Sequence, residues 1–244
     1  MIIDRQNNNQ PNVTHIAGCE VVPKFVYLGA VLSNDGGCSD EIRRRIQLAK
    51  SAMSRLTRIW KDRQISNNTK MRLVQSQIFS IFLYGAETWT MLQRDQDRVR
   101  AFEMWCWRRL LRVPWTARRT NVSILGELGI QVRLDDIVSH RILRYFGHIM
   151  RRENTLEKTI VEGKVWGRRR RGSSPSRWID LVTKLTGSPL RGVVSGALDR
   201  NKWCLTVNRA ILLHTDHDAS FWGIRLRRRK RVWVNFILIS WSHL

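Results

Sequence analysis

An apolar stripe at helical spacing, walled by arginine, sets what this chain can fold into. Ile42, Ile46, Ala49, Met53, Leu56 and Trp60 recur at steps of three and four. One face of a helix over about 39–60 is therefore apolar and must be buried against a neighbour. The other faces carry Arg43, Arg44, Arg45, Lys50, Arg55 and Arg58. The pattern returns over about 67–85, with Leu73, Val74, Ile78, Ile81 and Phe82 inward. It returns again over about 94–112 (Val99, Phe102, Cys106, Leu110) and 133–151 (Ile137, Val138, Ile142, Tyr145, Phe146, Ile149). A short helix is predicted over 122–128, and two further helices over 176–186 and 190–211. Ser39, and Thr120 or Asn121, are candidate N-caps; Gly85 and Gly129 are candidate terminators, and Pro114 stops the third helix. Two β-rich runs, 15–22 and 24–32, meet near Pro23 as a hairpin. The fold class is mainly α: a small N-terminal β-hairpin, a helical bundle, then further basic helices.

Charge is where composition matters. The chain has 43 Lys and Arg against 20 Asp and Glu, a formal net charge of +23 on 244 residues. Residues 1–40 hold two basic and four acidic side chains, so the excess lies in everything after them. Such a surplus repels itself in a compact state and calls for a polyanion. The partner expected is RNA, DNA or an RNA–DNA hybrid, bound with an affinity that falls as salt rises. Arg168, Arg169, Arg170 and Arg171 stand between two glycines and lead to Arg177 and Trp178. Guanidinium groups on a flexible run can follow a phosphate backbone, and Trp166 and Trp178 can stack on unpaired bases. Arg43 and Arg44, on the first helix, and Arg151 and Arg152, at the end of the long one, are further candidate nucleic-acid contacts. A helix-turn-helix over 121–150 is a second way to use Arg141, Arg144, Arg151 and Arg152. The competing plain reading of these residues is a solvated basic surface. For Trp60, Trp89, Trp105, Trp107 and Trp115 it is core packing.

Signals for catalysis are sparse. Asp135-Asp136 is the one adjacent acidic pair after residue 41, and it sits where a helix starts and acids suit the dipole. Glu87 is placed to be buried and paired. Cys19, Cys38, Cys106 and Cys204 have no metal spacing, and His214, Asp216, His217 and Asp218 have no second cluster to complete a site. No Walker loop or GxGxxG occurs, and no cofactor, metal or catalytic residue is expected. No stretch of 18 apolar residues suggests a membrane span. No signal peptide is read at the start, and reduced thiols in an intracellular, nuclear protein are expected.

Seven segments, in order, resemble the C-terminal part of reverse transcriptases from non-LTR (LINE-type) retrotransposons. They are Phe25-Val26-Tyr27-Leu28-Gly29, Glu41-Ile42-Arg43-Arg44-Arg45-Ile46, Leu83-Tyr84-Gly85-Ala86-Glu87-Thr88-Trp89 and Arg109-Leu110-Leu111-Arg112-Val113-Pro114-Trp115. Phe146-Gly147-His148-Ile149-Met150-Arg151-Arg152, Gly167-Arg168 through Arg177-Trp178, and Ala197-Leu198-Asp199-Arg200-Asn201-Lys202-Trp203 complete them. The resemblance implies a last palm-edge strand pair leading into a helical thumb that grips template–primer, with a basic region beyond. It divides the chain into a palm-edge hairpin and polar start (1–38), a thumb-like bundle (39–115), a helical region (116–162), an Arg-rich linker (163–177), C-terminal helices (178–212) and an unmatched tail (213–244). The family's polymerase motif, Tyr-x-Asp-Asp with an upstream Asp, lies before the Tyr-Leu-Gly strand. Residues 1–26 do not form it, so no catalytic residue is carried over. The expectation is a non-catalytic remnant that binds RNA or DNA through charge, its hairpin poorly anchored without the palm. A palm-containing reverse transcriptase acting in trans is a further implied partner. The alternatives are a domesticated nuclear DNA-binding or scaffold protein and a translated pseudogene.

Overall fold

The computed structural model describes residues 15–16, 19–20, 22–34, 36–164 and 177–221, with 211–221 by backbone alone. The chain is mainly α, as its periodicity requires. Two short antiparallel ribbons come first. Strand β1 (His15–Ile16) pairs with β2 (Cys19–Glu20), and β3 (Lys24–Tyr27) pairs with β4 (Ala30–Ser33) in the register Phe25↔Leu32 and Val26↔Val31. The main hairpin therefore bends at Leu28-Gly29 and not near Pro23, correcting the sequence-based expectation. Leu28 (φ 47°) and Gly29 (φ 77°) both take positive φ, and that turn matches the right-handed twist of two strands. Pro23 instead closes the open end, its carbonyl accepting the Asn34 N–H at 3.0 Å.

Helix α1 (Ser39–Arg55) breaks at Leu56 before α2 (Thr57–Lys61), so the predicted single rod is two. Its stripe stays intact, and Trp60 bridges the break by donating its Nε1–H to the Met53 carbonyl at 2.7 Å. Ser39 does not cap α1. Its hydroxyl crosses to Asp95 Oδ2 at 2.8 Å, and Cys38 holds the cap position while its Sγ accepts the Thr90 N–H at 3.5 Å. Helix α3 (Asn67–Leu73), capped by Ser66, runs through a wide π turn (Val74–Phe79) into α4 (Ser80–Phe82). Helix α4 ends at Phe82 with Leu83 as its C-cap, and Gly85, at φ 69°, leads into a 3₁₀ turn (Ala86–Thr88).

Helix α5 (Gln93–Leu111) is stopped by Arg112 in the left-handed conformation, two residues before Pro114. Helix α6 (Asn121–Leu128) is capped by Thr120 and ended by Gly129. Helices α7 (Leu134–Arg151), α8 (Leu156–Glu162), α9 (Trp178–Thr186), α10 (Leu190–Leu198) and α11 (Arg200–Phe221) complete the order. The predicted 190–211 helix is thus split at Asp199, whose Oδ1 accepts the N–H groups of Asn201 and Lys202 and starts α11.

The helices form one buried core. Helices α1, α3 with its π turn, α4 and α5 make the first bundle, and α7 joins it to α9, α10 and α11. Helix α7 is the keystone. Leu134, Val138, Ile142, Leu143, Phe146 and Met150 are all buried along it. At Gly147 the helix lies so close to α11 that an added Cβ would sit 2.3 Å from Trp203 Cδ1. Trp203 seals this contact by donating Nε1–H to the Leu143 carbonyl at 2.8 Å. Among the described residues no helix is long and apolar enough to cross a membrane.

Candidate nucleic-acid interface

The exposed arginines follow from the same amphipathic pattern that builds the core. Where α1, α5 and α7 turn their apolar faces inward, their basic faces turn out. Arg43 is exposed and pairs with Asp40 at 3.4 Å. Arg44 is half-buried and reaches the Gly29 carbonyl at 3.0 Å and Glu41 at 3.4 Å, so it braces the hairpin. Arg151 donates to the Ala197 carbonyl at 2.9 Å and ties α7 to α10, while Arg152 is exposed just past the end of α7. Arg177 is exposed and clasps Asp180, Nη2 to Oδ1 at 2.6 Å; this hydrogen bond raises its pKa above the usual value.

Trp178 takes a different part from the base-stacking one expected. Its indole is half-buried against Phe146 and Tyr145, each with ring centroids 6.1 Å away, and its Nε1–H goes to the Glu87 carbonyl at 3.1 Å. An amphipathic ring with an apolar shelf and a carbonyl within reach gains more from the core than from solvent. Trp166 and the Arg168, Arg169, Arg170 and Arg171 run lie outside the described residues. The chain leaves the described fold just beyond α8 and returns at Arg177, next to the Tyr145–Trp178 contact.

A second basic group was not grouped by sequence reading. The end of α5 lies beside α2, where Arg109 Nη2 donates to Thr57 Oγ1 at 3.2 Å and Arg112 Nη1 donates to the Lys61 carbonyl at 3.2 Å. Arg108 reaches Asn121 Oδ1 at 2.8 Å and draws in the α6 cap. Arg55, Arg58, Lys61, Arg112 and Arg118 are exposed around this corner. Trp105 carries two cations near its ring, Lys50 Nζ at 5.5 Å and Arg109 Cζ at 5.4 Å from the centroid. The signal lay in Arg108-Arg109, Arg112 and Arg118-Arg119. Only the meeting of α2 with α5 makes it a surface.

The acidic residues are committed elsewhere. Asp135 and Asp136 are both 7% exposed. Asp135 Oδ2 accepts from Arg100 Nε at 2.7 Å, and Asp136 Oδ2 accepts the Arg133 N–H at 3.1 Å as the helix cap. Arg133 Nε in turn donates to the buried Glu103 at 2.7 Å. Burial, then the neighbouring Asp135 charge, push the Asp136 carboxyl up to about 7. Burial likewise raises Glu103 against the pull of Arg133. Glu87 is half-buried in the 3₁₀ turn, and its charge faces the partly buried Arg141. Trp60, Trp89 and Trp107 are core residues, whereas Trp105 is half-buried. Among the described residues no group of three or more His, Cys, Asp or Glu side chains comes together to hold a metal ion. The side chains of His214, Asp216, His217 and Asp218 lie outside the described residues.

The helix-turn-helix arrangement is overturned. A recognition helix needs a free face at its N-terminal half to enter a groove. That half of α7 buries Leu134, Asp135, Asp136 and Val138, and Arg141 donates to the Leu83 carbonyl at 2.8 Å. Burial, then Arg144 and Arg141, hold His140 down at about 4, so this stretch carries its charge on the arginines. Compared with protein-family models, curated proteins and solved structures, the chain matches none.

Proposed function

We propose that this chain is the thumb and basic C-terminal part of a LINE-type reverse transcriptase, a non-catalytic unit that holds RNA or DNA through its charge. The observation that carries the binding is the exposed cationic corner of α2 and α5, set in a chain with net charge +23. Asp62 is exposed beside Lys61, Glu103 on α5 is buried and paired with Arg133 at 2.7 Å, and Glu127 is paired with Arg119 at 2.5 Å, so Arg55, Arg58 and Lys61 face solvent in local excess. Phosphate contacts of this kind position a strand without reading its sequence. The family assignment rests on the seven ordered segments. A supporting observation is that several of them meet. Tyr84 donates its hydroxyl to the Leu28 carbonyl at 2.8 Å, Arg45 stacks on the Tyr84 ring, and Trp178 reaches Glu87.

The test is binding of the full chain to an RNA–DNA hybrid, single-stranded RNA and duplex DNA across a salt series. A variant with Arg168, Arg169, Arg170 and Arg171 changed to Ala is measured beside it. Salt-sensitive binding to the hybrid or RNA, weakened in the variant, is the expected result. Folded protein that binds nothing at low salt would overturn the proposal and leave a relic whose charge is inherited. Sequence-preferring binding to duplex DNA would favour a domesticated nuclear DNA-binding protein instead. Polymerase activity gained on mixing with a palm-containing fragment would identify the partner in trans.

A further inference from the structure

Between α7 and α8 lies a cleft of about 220 Å³ lined by Tyr145, His148, Ile149, Arg152, Thr155 and Glu157. That is the scale of one aromatic base and not of a folded strand. Its chemistry is divided. Tyr145 and Ile149 give an apolar wall, His148 and Arg152 give donors at the α7 edge, and Glu157, in the first turn of α8, gives a carboxylate. Tyr145 is set in place by the edge-on Trp178 ring at 74°, so the wall is formed before anything binds. Arg144, His148 and Arg152 are all exposed at steps of four, a basic row leading along α7 to the cleft mouth.

We propose that this cleft takes one unpaired nucleobase with its flanking phosphate, and that guanine is the base it prefers. The inference rests on the nucleic-acid reading above and deepens it. A phosphate at the mouth suits Arg152, and the ring lies against Tyr145. Glu157 accepts hydrogen bonds and, ionised, donates none. Guanine alone presents two adjacent donors, N1–H and the N2 amine, to such a carboxylate. Uracil flanks its single N–H with two carbonyl oxygens, which a carboxylate repels. The cleft thus adds selectivity for a base to a surface that otherwise reads only phosphate.

The experiment uses the full chain and fluorescent oligouridylates in anisotropy titrations at fixed salt. One oligonucleotide carries a single central guanosine, one is all uridine, and one has an abasic centre. The guanosine strand should bind about ten-fold more tightly than either of the others. Glu157→Gln should remove that preference by weakening the guanosine strand toward the all-uridine one, whose own affinity holds or rises as the repelling charge is lost, with thermal melts showing both proteins folded. Arg152→Ala should weaken all three strands. Equal, tight binding of all three by the parent protein would overturn the guanine site and leave the charge-driven reading standing. A preference that survives Glu157→Gln would also overturn it, because the base would then be read elsewhere. Failure to bind any strand at low salt would overturn the nucleic-acid reading and this inference with it.

Discussion

Asp136 does what an acidic residue at a helix start is expected to do. An adjacent acidic pair in a basic chain invites a metal, yet Asp136 caps α7 and Asp135 is paired with Arg100. The consequence is a pH dependence of stability. An unfolded Asp ionises near about 3.9, whereas the folded group holds its proton up to about 7. Between these values the native state binds more protons, so this group's contribution falls as pH rises from about 4 to 7 and is lost above that. The effect is at most about 4 kcal/mol. Asp136→Asn keeps an acceptor for the Arg133 N–H and removes the ionisation. Denaturant unfolding of the variant should show a flatter pH profile and higher stability than the parent at pH 8; an unchanged profile would mean the dyad does not carry it. Gly147 is the opposite case, a residue that says little in sequence and much in space. Gly147→Ala places a methyl on the Trp203 ring, so that the ring or a helix must shift, and should cost about 2 kcal/mol by denaturant titration.

At the scale of elements, the hairpin is held by polar contacts where apolar ones were expected to be missed. Phe25 is 51% exposed and Leu28 is 76% exposed, so its apolar side chains contribute little burial. Glu41, almost fully buried, accepts the Val31 N–H at 2.8 Å and pairs with Arg45 at 2.5 Å, while the Gly29 carbonyl takes both Arg44 and Arg45. Removing residues 1–33 costs exposed and part-buried hydrogen bonds whose partners on α1 and at Tyr84 become open to water while the Glu41–Arg45 pair stays, about 1 kcal/mol, or about 2–4 °C in Tm. Glu41→Ala leaves the buried Arg45 unpaired and should cost about 3–5 kcal/mol. Thermal melts of the two proteins decide it: a truncation as damaging as the point change would mean the hairpin carries apolar stability that its exposure denies. The π turn at 74–79 is another lesson of this scale. Its extra residue per turn brings Phe79 inward beside Ile78, edge-on to Trp107 at 5.3 Å. A strict helical period placed Leu73, Val74, Ile78, Ile81 and Phe82 on the inner face and had no place for Phe79. The break at Leu56 was invisible for a related reason, since the apolar stripe continues across it.

At the scale of the whole molecule, the prediction concerns where the charge acts. Changing Arg55, Arg58 and Lys61 together to Gln should weaken binding of every strand alike and lower the slope of log K against log salt by up to about three. An unchanged slope would place the phosphates elsewhere on the surface. The amino-acid sequence by itself determined the helical class, the inner faces of α1, α5 and α7, the cap at Thr120 and the stop at Gly129, and the surplus of positive charge. These depend on spacing and residue type within one turn or one helix, which a linear chain displays. Tertiary structure alone decided that α7 would be enclosed and lose its claim as a recognition helix, and that Trp178 would join the core. It alone brought Arg109 and Arg112 beside α2, and it alone opened the cleft of Tyr145, Arg152 and Glu157. Each of these turns on which helix lies against which, and that is settled by the close packing of side chains from distant parts of the chain.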